Sequence, residues 1–407
     1  MDFEIRPVAP DEFAEFVRVE HIPFGQHVSN EDIEAIQAAT GNERHLAAFE
    51  DGRMVATAGD WAMELTLPGL TTVSAPGVTA VGALPTHRRR GLLTALMRRQ
   101  LDDFGEGGEP VAVLTASEGA IYGRFGYGLA STHLQVELDR AQTAFQPPVE
   151  PEGRFTLVDK AAALAAFPPV FDRYRALQPG ELSRSPGWWE LNLRDPEWSR
   201  DGASPFFHVL YEGHDGDGYA SYRVKEQWDG PLSAHTLRVV HLVATSPAAR
   251  LALWTYCLGV DLMATVVGEN CPLDEALRWR LADPRRMGVS LVADWLWARL
   301  VDVPAALAAR RYQFEGSVVF DVADAFCPQN DGRYALEGGP ADAMCGPTTV
   351  TADLALSVAD LGAAYLGGVR FSTLARAGRV DELTPGALAR ADSMFASDPL
   401  PWCETDF

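Results

Sequence analysis

The chain has 407 residues, with 34 basic and 56 acidic side chains and a formal net charge of −22. Hydrophobic residues make up 47% and charged residues 22%, which excludes wholesale disorder and a collagen-like structure. Such an acidic chain is a poor general binder of nucleic acid or of anionic membranes, because phosphate contacts need clustered cations. The charge suits a cationic small substrate, although solubility alone would also explain it.

The five cysteines are not spaced like a redox or metal site. No CxxC or Cys/His ligand spacing occurs, and the first 256 residues contain no cysteine. We therefore expect neither a disulfide framework nor a bound metal, and a reducing compartment fits. The N-terminus lacks the regions of a signal peptide, and no apolar run reaches the ~18 residues of a membrane span. These features predict a cytoplasmic protein.

Hydrophobic spacing predicts a first region in which helices and strands alternate. In chain order, the predicted elements are helices at 10–19 and 30–39, strands at 45–50, 54–67 and 78–84, a helix from Leu92 that Gly105 ends, and a strand at 110–116. Strands that turn sharply into helices are typical of an α/β layer.

Composition divides the chain into three predicted domains. The proline-rich segment at 146–153 interrupts the first pattern, and a second mixed region follows it. A third region contains a strand-like segment at 317–322 and helical spacing at 352–365. We therefore predict domains at 1–150, 151–290 and 291–407.

A weak internal repeat relates the first two regions. Residues 81–93 and 243–254 share Val, Pro and Arg at the same offsets, and an apolar helix follows in both. The second segment has Leu253 in place of Gly91 and has lost two of three arginines. We interpret this as a duplicated unit whose second copy kept the fold and lost the site, although chance could produce so short a match.

The strongest candidate site is the strand–Pro–x–x–Arg-Arg-Arg-Gly–helix segment at 78–104. A helix N-terminus binds anions, Gly91 lets a ligand approach the backbone, and the arginines add charge for a further phosphate. The strand at 81–83 offers backbone groups to an extended amide ligand. This combination fits coenzyme A, a pyrophosphate with an amide-bearing arm. The alternatives are a solvated basic turn and, disfavoured by the net charge, a nucleic-acid patch.

A second candidate feature is the glycine-rich segment at 117–128, which holds Tyr122 and Tyr127. A tyrosine hydroxyl, with a pKa of about 10, can protonate a thiolate leaving group, whose pKa is about 8.5. The alternative for either tyrosine is a packed aromatic side chain. A Ser/His/Asp triad using Ser117 is disfavoured, because no GxSxG elbow occurs.

The last residues, SDPLPWCETDF, are unusually aromatic for a chain terminus. Unanchored termini are usually polar and frayed, so this tail is expected either to dock or to cover a core. Trp188 and Trp189 are expected to be core residues rather than a ligand platform.

Three segments carry a family resemblance. VGALPTHRRRGLL resembles motif A of the GNAT acetyltransferases, while ASEGAIYGRFGYG and FASDPLPWCETDF are similar to the enhanced intracellular survival (Eis) family of N-acetyltransferases. The resemblance implies a mixed α/β fold with two tandem GNAT-like domains, the second degenerate, and a C-terminal sterol-carrier-like domain. It also implies a homo-hexamer, acetyl-CoA as donor, no metal, and amine acceptors such as aminoglycosides, polyamines or lysine side chains.

The resemblance also assigns roles to individual residues. Those implied to hold acetyl-CoA are Val81, Ala83, Arg88, Arg89, Gly91, Leu92 and Ser117. Tyr122 is implied to be the general acid, and the carboxylate of Phe407 to be the base or amine anchor. Phe24 and Asp406 are implied to contact the acceptor.

The sequence departs from the family pattern in the loop expected to contact the acceptor. The family's acceptor loop carries acidic residues, whereas Gln26 and His27 offer no carboxylate at the corresponding positions. This departure bears on how many aminoglycosides the protein accepts. Separately, a catalytically silent regulator with a GNAT frame, or a lipid-binding protein that uses the C-terminal domain, stays an alternative to the enzyme.

Overall fold

The computed structural model describes residues 3–40 and 44–407. The first elements are β1 (Glu4–Pro7), α1 (Phe13–His21), α2 (Asn30–Thr40), β2 (His45–Glu50), β3 (Arg53–Trp61), β4 (Glu64–Thr66), β5 (Thr72–Ser74), β6 (Gly77–Ala83), α3 (Leu92–Glu106), β7 (Val111–Thr115), α4 (Gly119–Tyr122) and β8 (Gly128–Leu129). The middle of the chain forms β9 (Thr132–Asp139), β10 (Gly153–Val158), α5 (Lys160–Arg175), α6 (Pro186–Asn192), β11 (Phe207–Gly213), β12 (Gly216–Lys225), β13 (Trp228–Asp229), β14 (Leu232–Ser233), β15 (His235–Ala244), α7 (Pro247–Gly259), β16 (Met263–Cys271), α8 (Leu277–Arg280) and β17 (Met287–Asp294). The last elements are β18 (Leu296–Leu300), α9 (Val303–Ala309), β19 (Gly316–Ala323), β20 (Gly332–Gly338), β21 (Ala343–Pro347), β22 (Leu354–Ser357), α10 (Val358–Tyr365), α11 (Phe371–Arg376), β23 (Val380–Glu382) and α12 (Ala387–Phe395).

The described residues form two compact units, neither of them continuous in sequence. The first unit contains the described residues up to Ser131, together with Pro179–Leu191 and Asp294–Phe407. The second contains Thr132–Gln178 and Asn192–Ala293.

The main sheet of the first unit has the described strands in the order β1-β2-β3-β6-β7-β18-β8. Adjacent strands in this sheet are antiparallel except for β6 and β7, which are parallel and are connected through α3. Alternating burial is replaced in the centre by nearly continuous burial along β2 and β3, because helices cover the sheet. Leu96 and Met97 of α3 are fully buried against the sheet, as the helical spacing from Leu92 predicts.

The sheet of the second unit repeats this topology in the order β10-β11-β12-β15-β16-β9-β17. Here β15 and β16 are the parallel pair and α7 is the crossover helix between them. The segments at 81–93 and 243–254 therefore occupy the same strand-to-helix junction of the same topology. A shared topology supports duplication over chance as the origin of the repeat.

Each sheet contains one inner strand from a distant part of the chain. In the first unit, β18 lies between β7 and β8 and pairs with both. In the second, β9 lies between β16 and β17. After β8, at the edge of the first sheet, the chain continues into β9, an inner strand of the second sheet. After β17, at the edge of the second sheet, it continues into β18, an inner strand of the first sheet.

The C-terminal part of the first unit has its own described five-stranded sheet, in the order β21-β20-β19-β22-β23. Helix α10 packs on β8 and β18 of the main sheet at very short range. A Cβ on Gly128 would lie 1.8 Å from the Ala359 carbonyl oxygen, and one on Gly362 would lie 2.4 Å from the Ala298 carbonyl oxygen. Two glycines therefore let the helix and the sheet approach at backbone distance.

Two predicted elements differ from the structure. The helix expected at 352–365 begins only at Val358, because Leu354–Ser357 forms β22 beside β19 and Ser357 caps α10 by accepting a hydrogen bond from the Asp360 N–H. The strand expected at 54–67 is interrupted after Trp61, and its second part pairs with β5 as β4. Short apolar runs do not distinguish a strand from the first turns of a helix by period alone.

Gly128→Ala should destabilise the fold by about 3 kcal/mol or more, because the added methyl group meets backbone atoms that cannot rotate away. Chemical denaturation of the full chain measures this change. Gly105→Ala is the matched control, since its Cβ would be 3.8 Å from Val301 and alanine favours a helix. Equal unfolding midpoints for the two variants would contradict the close helix–sheet contact.

Candidate functional site

The parallel strands β6 and β7 pair over only a short length. Their ladder contains Gly77 with Val113 and Val78 with Leu114, and within residues 3–40 and 44–407 it extends no further. On its other side, β6 stays paired with β3 as far as Ala83. The backbone of Thr79–Ala83 therefore has one open edge, which can receive an extended ligand as an added strand would be received.

A β-bulge lies where the two strands separate. Thr57 pairs with Gly82 and Gly59 with Thr79, so β6 has one residue more than β3 in this interval. Ala80 lies there with φ +52°, and its carbonyl oxygen accepts a 2.9 Å hydrogen bond from the Thr57 hydroxyl. A non-glycine residue in this conformation costs about 1–3 kcal/mol, and such residues cluster at functional sites.

The open end of β6 leads into the N-terminus of α3. Arg89 has φ +61° and Gly91 has φ +85°, so the backbone turns twice through the left-handed region before the helix begins. Gly91 is the N-cap, and a Cβ there would have open space within 4 Å. Since glycine brings no capping side chain, the first N–H groups of α3 and the helix dipole are available to an anion.

The three consecutive arginines have different roles. Arg90 forms an ion pair with Glu50 (Nη1–Oε2 3.0 Å), and His87 Nε2 lies 3.1 Å from the same oxygen. The hydrogen bond from Arg90, with a smaller contribution from His87, lowers the pKa of the Glu50 carboxyl. Arg88 and Arg89 are exposed and make no ion pair within the part of the chain that the structure describes. They are the two cations of this loop that an added phosphate could engage.

Tyr122 ends the short helix α4, which follows β7. Its side chain is 8% exposed, and burial, with a smaller contribution from Glu118, raises the pKa of its hydroxyl. The Tyr127 ring meets it edge-to-face at 6.1 Å. Tyr122 therefore keeps its proton at neutral pH and can act as a proton donor. Ser117 is exposed just beyond the end of β7.

The C-terminal tail reaches the place where β6 and β7 separate. A Cβ on Gly77 would lie 2.8 Å from Cε2 of Phe407, so the ring rests directly on the β6 backbone. The backbone oxygen of Phe407 lies 3.5 Å from the hydroxyl of Thr115, the last residue of β7. The carboxyl group of Phe407 is thus beside β7, shortly before the segment that carries Tyr122.

The two predicted acceptor residues are both exposed, but on different elements. Phe24 is 47% exposed in a short 3-10 turn whose neighbour Pro23 lies against Gly82 of β6. Asp406 is exposed in the tail, where its carboxylate accepts a 3.0 Å hydrogen bond from the Phe407 N–H. Each therefore lies beside an element of the β6–β7 opening.

The equivalent junction in the second unit has lost the anion site. Helix α7 is capped by its own Ser246, whose hydroxyl accepts a hydrogen bond from the Ala249 N–H. Arg250, the one arginine that the repeat retains, is paired with Glu275 (Nε–Oε2 2.9 Å). The donors and the charge that an anion needs are therefore already occupied.

Several residues of the site were not predicted from the sequence. Gly77 and Thr115 contact Phe407, while Glu181, Arg184 and Trp188 contact the residues before it. The last three are more than 210 positions from their partners, so no local pattern could have pointed to them. The prediction that Trp188 and Trp189 are core residues agrees with their burial.

Comparison with known proteins supports the fold and identifies the family. Family models described as "Acetyltransferase (GNAT) domain" match residues 4–130 and 180–300, and one described as "Sterol carrier protein domain" matches 303–404. An uncharacterized N-acetyltransferase of Streptomyces avermitilis is 45% identical over 93% of each chain. The N-acetyltransferase Eis of Mycobacterium tuberculosis is 36% identical, over 83% of this chain and 81% of that protein.

This chain belongs to the Eis family of GNAT N-acetyltransferases. The crystal structure of Eis1 from Mycobacterium abscessus has a TM-score of 0.88 at 34% identity, covering 99% of this chain and 100% of that one. The predicted arrangement of two GNAT domains followed by a sterol-carrier-like domain is confirmed, as is the prediction of an acetyltransferase. Within the described residues, no helix is long and apolar enough to cross a membrane.

Gly77→Ala should loosen the tail, because the new methyl group would overlap the Phe407 ring. Overpacking of this kind costs about 1–3 kcal/mol, so amide hydrogen exchange at residues 403–405 should accelerate about tenfold or more. Adding Phe407→Ala removes the overlapping ring and should relieve most of the effect of the Gly77 substitution, since the remaining close neighbour, Met63 Sδ at 3.0 Å, belongs to a flexible side chain. Unchanged exchange in Gly77→Ala would show that the ring does not rest on β6.

Proposed function

We propose that this protein transfers the acetyl group of acetyl-CoA to primary amines of small cationic acceptors, namely aminoglycosides, polyamines or lysine side chains. The observation that carries the proposal is the convergence of three groups on the β6–β7 opening. These are the unpaired edge of β6, the side chain of Tyr122, which belongs to the same buried cluster as Val78 and Leu114, and the carboxyl group of Phe407.

The donor is proposed to bind along β6 and the loop after it. The open backbone at Val81 and Ala83 suits the amide groups of a pantetheine arm. The N-terminus of α3, from Gly91 and Leu92, and the free Arg88 and Arg89 side chains suit a pyrophosphate and a further phosphate. Ser117, which is exposed two residues beyond the end of β7, is proposed to border the same opening.

The reaction needs an amine that has lost its proton, since an ammonium group has no lone pair. A terminal carboxylate, with a pKa of about 3.3–3.7, is ionised at neutral pH and can hold the ammonium or take its proton through water. The amine nitrogen then forms a bond to the thioester carbonyl carbon, and the carbon–sulfur bond breaks. The electron pair leaves with sulfur, and Tyr122 protonates it. The nitrogen, which is positively charged after the attack, loses a second proton. Tyr122 regains a proton from solvent, so that one proton is released overall.

The acceptor is proposed to be cationic for electrostatic reasons. A net charge of −22 favours the approach of cations, and Asp406 and the Phe407 carboxylate supply negative charge next to the opening. Phe24 offers an exposed aromatic face on the β6 side. Gln26 and His27 bring no carboxylate to pair with further ammonium groups of the acceptor. We therefore expect fewer multiply charged amines, such as aminoglycosides, to be accepted. A cytoplasmic homo-hexamer stays a prediction, which light scattering and fractionation can test.

Thiol release from acetyl-CoA, followed with a colorimetric reagent against aminoglycosides, diamines and lysine peptides, tests the proposal. The protein should carry any tag at its N-terminus. Tyr122→Phe should lower kcat about 10²–10⁴-fold with little change in acetyl-CoA affinity, because the proton donor is lost. In the unaltered protein, the raised pKa of Tyr122 keeps the proton donor protonated in mildly alkaline solution. Its activity should therefore not fall through loss of this proton as the pH rises to about 9.

Tyr127→Phe is the matched control in the same loop, because the described residues give the buried Tyr127 hydroxyl no partner. It should retain kcat close to that of the unaltered protein. Acetyl-CoA binding without release in the presence of any amine would withdraw the acceptor assignment and favour a silent regulator.

The arginine loop gives an independent test of the donor site. Arg88→Gln and Arg89→Gln should each raise the Kd for acetyl-CoA about tenfold, since a charge-assisted hydrogen bond contributes about 1.5–3 kcal/mol. Arg90→Gln removes the pair with Glu50 and should change the Kd less than about twofold. Titration calorimetry at fixed ionic strength measures all three. A larger effect from Arg90 than from its neighbours would contradict the assigned roles.

A further inference from the structure

One segment of the first unit, Pro179–Leu191, lies in sequence within the middle region of the chain. Its backbone contacts both the sheet region and the tail. Leu182 forms a β-bridge with Leu65 of β4, and the Pro179 carbonyl oxygen accepts a 3.0 Å hydrogen bond from the Trp402 N–H. Gly180, at φ +90°, lets Trp402 approach its backbone closely. The segment therefore joins the tail to the main GNAT domain.

Glu181 is a buried carboxylate that binds the tail backbone directly. Its side chain accepts hydrogen bonds from the N–H groups of Glu404 (2.8 Å) and Thr405 (3.3 Å) and from the Thr405 hydroxyl (2.7 Å). The Leu182 N–H donates to it as well, at 3.0 Å. A carboxylate has acceptor sites for all of these donors, whereas an amide would direct an NH₂ group at some of them.

Arg184 and Trp188 hold the next part of the tail. Arg184 forms a fully buried ion pair with Glu404, and its Nε donates to the Thr405 hydroxyl at 2.9 Å. Its guanidinium lies 4.1 Å from the centre of the Trp188 ring. The Trp188 indole N–H donates a 2.8 Å hydrogen bond to the backbone oxygen of Asp406, one residue before the carboxyl group of Phe407.

If these contacts served only to pack the tail, apolar side chains would do so at a lower cost in free energy. A buried ion pair loses its hydration, and replacement by apolar side chains is often neutral or stabilising. Apolar packing does not fix the rotation of a peptide backbone, whereas directed hydrogen bonds to successive residues do. Contacts at Glu404, Thr405 and Asp406 leave the Phe407 carboxyl group little freedom.

We propose that Glu181, Arg184 and Trp188, together called the tail bracket, are positioning residues that hold the Phe407 carboxylate at the β6–β7 opening. The inference rests on the proposed function, in which that carboxylate handles the acceptor amine. The bracket lies within the 180–300 segment that matches the second GNAT model. In the structure, however, the bracket is part of the first unit, the same unit that contains the tail and the β6–β7 opening.

A double-mutant cycle between the bracket and the tail tests this role. One change is Trp188→Phe, which keeps a ring over Arg184 and removes the donor to Asp406. The other is a short extension after Phe407, which moves the carboxylate away. Alone, Trp188→Phe should lower kcat about 10–100-fold and leave the acetyl-CoA Kd unchanged, because displacing a catalytic group by about 1 Å has effects of this size. In the extended protein, it should have no further effect on kcat.

Trp189→Phe is the matched control, since it makes the same change in the neighbouring indole and leaves the Trp188–Asp406 hydrogen bond intact. Glu181→Gln and Arg184→Lys should show the same coupling to the extension, and circular dichroism identifies any variant that does not fold. An equal loss of kcat from Trp188→Phe in both backgrounds, or full activity of Trp188→Phe alone, would overturn the positioning role. Full activity of the extended protein would instead remove the tail from the proposed function, and the bracket's role with it.

Discussion

The early end of the β6–β7 ladder is the constraint on which the site depends. Two parallel strands that separate after Val78 and Leu114 leave backbone groups exposed inside a domain, where secondary structure would otherwise satisfy them. The bulge at Ala80 turns β6 away and stores strain at the point of separation. What enters the opening from within the molecule is the tail, whose Phe407 ring lies on Gly77.

The two copies of the fold show how a small change at a helix N-terminus decides whether an anion site exists. In one copy, Gly91 begins the helix and contributes no side chain. In the other, the N-cap is Ser246, which satisfies a backbone donor itself, and the residue that the repeat aligns with Gly91, Leu253, lies inside the helix. A serine is an effective N-cap that stabilises a helix by about 1 kcal/mol relative to alanine, so the second junction gained a cap where the first kept its donors free.

Local features of the molecule could be predicted from the sequence, and distant ones could not. The strand into α3, the arginines before Gly91 and the glycine-rich segment around Tyr122 are each contained in about a dozen residues, so spacing and residue type were sufficient. The bracket could not be found in this way, because Glu181 and Thr405 are adjacent only in space. The start of α10 was misplaced for a different reason, since apolar residues in β22 continue into the helix without a change of period that a short window could detect.

The exchange of inner strands ties the two copies together at the level of the gene. The sheet that holds the site needs β18, which is encoded after the whole second copy, and the second sheet needs β9, which is encoded before most of it. No single cut in the coding sequence releases a complete copy of either fold. Recombination can therefore move the pair only as one piece, and the second copy is inherited with the first whatever its own chemistry.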